Sequence, residues 1–97
     1  MAYDPGALDW TVAAAVGDDP ALAAELRAAF VESALIAQAA MRCCAAEDDW
    51  IEAAQRMKGL AASFGALRLM AVAEAATTIP PGDPGLLRRM DRIIGGF

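Results

Sequence analysis

Gln55, Lys58, Gly59 and Ala62 stand at i, i+3, i+4 and i+7 in the stretch AAQRMKGLAASFGA. On a helix these positions fall within about 60° of one another, so they make a single stripe. It combines a carboxamide, an ammonium group and two residues too small to cover the backbone. A glycine inside a helix costs about 0.5–1 kcal/mol relative to alanine, so something must come close to the chain at Gly59. A neighbouring helix of the same fold or a separate docking partner would each account for it, and the spacing leaves both open.

Other chemistry has little to work with. The chain contains no histidine, and its two cysteines, Cys43 and Cys44, are adjacent. Neighbouring side chains on a helix diverge by about 100°, so the pair does not bridge and is expected to pack reduced, as small apolar residues. No zinc site or Cys-His nucleophile can be assembled from this set. Glycine-rich phosphate loops, paired carboxylates and metal-ligand spacings are missing from the pattern as well. The expectation is a protein that is not an enzyme and carries neither cofactor nor metal.

Composition points to a protein partner. Thirteen acidic residues against eight basic ones leave a net charge of −5, too acidic for the clustered cationic face that nucleic acid requires. The apolar share is 58%, but much of it is alanine, which suits helix surfaces as well as cores. No apolar run approaches the roughly 18 residues of a membrane span, and Met1 to Trp10 has no secretory pattern. A cytoplasmic chain of 97 residues forming one domain is expected, with no membrane contact.

Helix boundaries are marked by three Asp-Pro pairs, Asp4-Pro5, Asp19-Pro20 and Asp83-Pro84. The aspartate accepts a bond from an orphan helix amide, and the proline gives up a donor that had no partner. Asp49 with Glu52 three residues on resembles a capping box, and Gly17-Asp18, Gly65 and Ile79-Pro80-Pro81-Gly82 supply breaks. The expected helices cover 6–16, 20–46, 50–64, 66–78 and 84–95, with no strand. The long helix repeats Leu22, Leu26, Ala29 with Phe30, Ser33, Ala37, Ala40 with Met41, and Cys44 over about 40 Å. Trp50, Ala54, Met57, Ala61 and Phe64 form the core face of the next. Leu86, Leu87, Met90, Ile93, Ile94 and Phe97 do the same for the last. Short connections favour antiparallel neighbours, so an all-α, up-down four-helix bundle with a short additional N-terminal helix is expected.

The stretch from Ala54 to Ala66 resembles the signature of histidine-containing phosphotransfer (HPt) domains, approximately A-H-x-L-K-G-S-[SA]-x-x-[LF]-G-A. The similarity extends to Gly17-Asp18-Asp19-Pro20 before a long helix, to Phe30 within it, and to the Ala46-Glu47-Asp48-Asp49-Trp50 approach to the motif helix. It covers nearly the whole chain, and the family fold agrees with the architecture above. The resemblance implies a receiver domain of a response regulator, a hybrid histidine kinase, or both as partners, with Gln55, Arg56, Lys58, Gly59 and Ala62 at the docking surface.

The chain departs from the family at its defining residue. Where the family has the phospho-accepting histidine, this chain has Gln55. A carboxamide nitrogen delocalises its lone pair into the carbonyl, whereas neutral imidazole keeps one free, so Gln55 should not accept phosphate. Ser63 stands two turns away, about 12 Å along the axis, and is no substitute. Leu60 replaces the serine that commonly follows the glycine. Four readings follow: a docking module that cannot relay phosphate; an active relay protein bearing a His-to-Gln substitution; a phosphatase in which Gln55 orients water against a receiver's aspartyl phosphate; and a bundle that pairs with itself, as a weak homodimer rather than a monomer. Arg88, Arg89 and Arg92 read as a solvated face at the C-terminal side of the last helix.

Overall fold

The computed structural model describes Gly17 and residues 19–97. The short helix expected over 6–16, with its Asp4-Pro5 start, lies outside the described residues. Within them the chain forms four helices and no strand: α1 (Pro20–Arg42), α2 (Glu47–Ser63), α3 (Leu67–Ala76) and α4 (Pro84–Gly95).

Two helix starts follow the Asp-Pro rule. Asp19 accepts from the amides of Ala21 and Leu22, at 3.1 Å each, ahead of Pro20. Asp83 accepts from the amide of Leu86 at 2.9 Å, ahead of Pro84. The expected cap at Asp49 is incorrect. Helix α2 begins three residues earlier than expected, after Ala46, which makes no side-chain cap bond. Glu47, Asp48 and Asp49 occupy its first turn, where their negative charge is favourable beside the amide end of the helix. The end of α1 is also earlier than expected, at Arg42, with Cys43 as its cap. Ala46 is extended at φ −87° and ψ 142°, so the chain must leave the helix before it.

The stop after α2 has a clear cause. Gly65 sits at φ +67°, a conformation that penalises any residue with a Cβ. Its amide donates to the carbonyl of Ala62 at 3.2 Å, and the amide of Ala66 donates to that of Ala61 at 2.9 Å. This is the paired closure of a Schellman motif. It turns the chain directly into α3.

Helix α1 packs against α2 and α4, and α3 packs against the same two. The shared core contains Phe30, Ala34 and Met41 from α1, Trp50, Ala54, Met57 and Ala61 from α2, Leu69, Val72, Ala73 and Ala76 from α3, and Leu86, Leu87, Met90, Ile93 and Ile94 from α4. On α2 the expected face is the buried one, except that Phe64 is half-covered, its ring centroid 4.7 Å from that of Phe30. Phe97 meets Phe30 from the other side at 5.2 Å.

On α1 the expected face is rotated. Leu22, Ala29, Ser33 and Ala40 are exposed, while Ala34 and Gln38 are buried. An alanine-rich helix presents apolar residues on nearly every side, so periodicity alone cannot choose the inward one. Phe30 and Met41 choose it, because they have the most apolar area to hide. The carboxamide of Gln38, carried inward with them, donates to the Leu87 carbonyl at 3.4 Å. One turn further on, Arg42 pairs with Asp91 across the same α1–α4 contact.

Trp50 joins α2 to the far end of α3. Its ring is fully buried and its indole N–H donates to the Ala76 carbonyl at 2.7 Å. That carbonyl belongs to the last turn of α3, where no intrahelical amide remains to bond it. The Ile79 amide supplies a second donor at 3.1 Å. Trp50→Phe keeps an aromatic ring and removes the indole donor, so urea denaturation should show a loss of about 1–2 kcal/mol. An unchanged midpoint would mean that the bond contributes nothing.

Candidate functional site

The closure at Gly65 and the burial of Trp50 fix α2 at both ends and set its rotation. With Trp50 inward, Gln55 stands about 140° around the helix from it, on the side away from the core. The structure puts Gln55, Gly59 and Ala62 on one open strip, all three exposed. The Gln55 carboxamide makes no hydrogen bond with another described residue.

Gly59 resolves one of the two alternatives left by the spacing. A Cβ built at this position meets nothing within 4 Å. Among the described residues no neighbouring helix needs the missing side chain, so their packing does not account for the glycine. The Ser63 hydroxyl donates to the Gly59 carbonyl at 3.0 Å, which occupies Ser63 locally and keeps it away from Gln55.

The two cations flank the strip on opposite sides. Lys58 turns toward α3, where its Nζ lies 3.5 Å from a Glu74 carboxylate oxygen. Arg56 lies on the α1 side, bonded to Glu52 one turn back at 2.8 Å. Both pairs are substantially exposed, and such pairs contribute only about 0–1 kcal/mol. An acidic partner can therefore replace Glu52 or Glu74 at small cost. Of the five residues expected at the site, three share the open strip and two form its charged borders.

The sequence reading missed the apolar ground beside the strip. Ser33, Ile36, Ala37 and Ala40 of α1 face Ala53 and Arg56 of α2 across a groove of about 300 Å³. Ile36 is 65% exposed there, which is costly for so large an apolar side chain in water. The signal was present but hidden by the α1 phase: once Phe30 and Met41 point inward, Ile36 has no place in the core.

The cysteines also differ from expectation. Cys43 is exposed rather than packed, and half-covered Cys44 donates its thiol to the Ala40 carbonyl at 3.2 Å. Among the described residues no three acidic, cysteine or histidine side chains gather into a metal-binding group, and no helix is long and apolar enough to cross a membrane. Comparison of the chain with family models, curated proteins and solved structures finds no match.

Open space at Gly59 makes a sharp expectation. Gly59→Ala should stabilise the fold by about 0.5–1 kcal/mol, because alanine is the better helix former and no contact is lost. Thermal or urea denaturation reads this directly, and destabilisation would show that the fold itself requires the glycine.

Proposed function

We propose that this chain is an HPt-like signalling module that docks receiver domains through α2 and does not carry phosphate itself. The observation that supports the reading most is Gly59, a mid-helix glycine where an added Cβ meets no described residue, next to an exposed Gln55 whose side chain has no hydrogen bond among the described residues. A contact with an outside partner explains a glycine that the packing of the described residues does not call for. The helical contacts agree with the proposed architecture, an antiparallel up-down bundle: Phe30 and Phe64 meet where α2 ends, and Trp50 at the start of α2 meets Ala76 at the end of α3.

In this arrangement the receiver covers the Gln55–Gly59–Ala62 strip and the apolar groove around Ile36. Lys58 approaches the acidic pocket that surrounds the receiver's phosphorylatable aspartate, and Arg56 contributes at the rim. The bare backbone at Gly59 lets the two surfaces close. Relay stops at Gln55, because no free lone pair of adequate basicity is available to attack the aspartyl phosphate.

The experiment is calorimetric titration with receiver domains from the source cell, followed by incubation with the phosphorylated form of any that bind. Binding without transfer of label is expected. Lys58→Ala should weaken binding about three- to tenfold. Gln55→His should acquire label from the same receiver if the rest of the surface is that of a relay protein. Stable labelling of the unaltered chain would overturn the no-relay part, and failure to bind any receiver would overturn the docking part.

The unengaged Gln55 carboxamide favours one second reading, in which it orients water against the receiver's aspartyl phosphate. Receiver dephosphorylation would then be faster with the unaltered chain than with Gln55→Ala. Equal rates remove that reading and leave docking alone.

A further inference from the structure

The arginines of α4 are distributed in a way that a solvated face does not require. Of the chain's eight cationic residues, Arg42, Arg56 and Lys58 are paired with Asp91, Glu52 and Glu74. Arg27 and Arg68 have interactions of their own. Arg88, Arg89 and Arg92 have no carboxylate within ion-pair distance among the described residues, although the chain as a whole is acidic.

Charge is sorted around α4. Its one aspartate within the helix, Asp91, turns toward α1 and pairs there with Arg42. On α3, Glu74 is turned toward α2 by its contact with Lys58. Asp83 is occupied at the start of α4, accepting from the Leu86 amide. Between α3 and α4 this leaves a groove of about 340 Å³ lined by Arg68, Arg89, Arg92 and Ile93, with no acidic side chain among those residues. Arg89 and Arg92 are one turn apart on the same helix and repel each other. Arg92 lies in the last turn of α4, where a cation opposes the carbonyl end favourably, but Arg89 stands a turn earlier and gains little from it.

We propose that this groove binds a small ligand carrying a phosphate or pyrophosphate group. Its volume falls in the range of small-molecule sites. The guanidinium groups of Arg89 and Arg92 offer planar forks that match phosphate oxygens in bidentate pairs, which lysines at the same positions would not. Ile93, only 8% exposed, supplies an apolar floor for the remainder of the ligand. Occupation relieves the Arg89–Arg92 repulsion, so the site is poised for an anion. The groove is lined from α3 and α4, with no α2 residue and none of the docking-strip residues among its lining. The ligand site therefore stands independently of the receiver-docking reading.

Inorganic pyrophosphate is the probe, titrated calorimetrically into the full chain at low and at physiological salt. Saturable one-to-one binding is expected, weaker at the higher salt. The double variant Arg89→Gln/Arg92→Gln should lose about tenfold or more in affinity, with its helical circular dichroism unchanged. Arg88→Gln removes a charge from the same helix outside the groove and should change affinity less than about threefold. The double variant should bind a receiver as the unaltered chain does, because the docking strip is on α2 and contains neither residue. Absence of saturable heat up to about 10 mM pyrophosphate would overturn the proposal. So would an equal loss with Arg88→Gln, which marks diffuse charge rather than a site, or tighter binding of a short oligoglutamate peptide, which marks an acidic protein segment as the occupant.

Discussion

The burial of Trp50 is the constraint on which the rest of the arrangement depends. Its ring fills the core near the start of α2, and its N–H is committed to the end of α3. A buried indole donor without an acceptor would cost about 1–3 kcal/mol, so the ring has few alternative orientations. Once Trp50 is inward, the helical repeat carries Ala54, Met57 and Ala61 inward as well. The same repeat then turns Gln55, Gly59 and Ala62 outward. The position of the candidate site is a consequence of where the largest side chain of α2 is held.

Alanine makes this dependence stronger. Among the described residues six of the seventeen buried apolar ones are alanine, each with little area to remove from water, so specificity rests on the few large side chains. Trp50, Phe30, Met41, Met57, Leu69, Leu86 and Met90 are the largest that are fully buried, together with Val72. Small residues allow the helices to close on one another, while the large ones decide their rotation. Gln38 adds direction at the α1–α4 contact, because its carboxamide must face the Leu87 carbonyl or remain unsatisfied in a dry setting.

Legibility in the sequence followed the same division. The faces of α2 and α4 were readable because Trp50 and Met57, or Leu86, Met90 and Ile94, stand out against polar neighbours. The α1 face was not, since alanines at 24, 28, 29, 34, 37, 39 and 40 make every side look apolar. The error there concealed Ile36 and its groove. Asp19 and Asp83 were legible as caps because proline follows each, whereas Asp49 resembled a cap and instead lies within a turn held by three acidic charges. The exposed strip of Gln55, Gly59 and Ala62, with Lys58 at its border, was readable from spacing. The opposite directions taken by Lys58 and Arg56 were not, because they depend on Glu74 of another helix and on Glu52 one turn back.

Packing among the described residues accounts for the inward side of α2 and for its two ends; it gives no reason for a glycine at position 59. The proposed docking would supply that reason, and its most direct measurement is a cross-saturation NMR map of the isotopically labelled chain with an unlabelled receiver domain bound. Saturation confined to Gln55, Gly59 and Ala62, with Ile36 and Ala40 alongside, is the predicted result. A footprint on another face, with the amides of residues 55–62 unaffected, would contradict it.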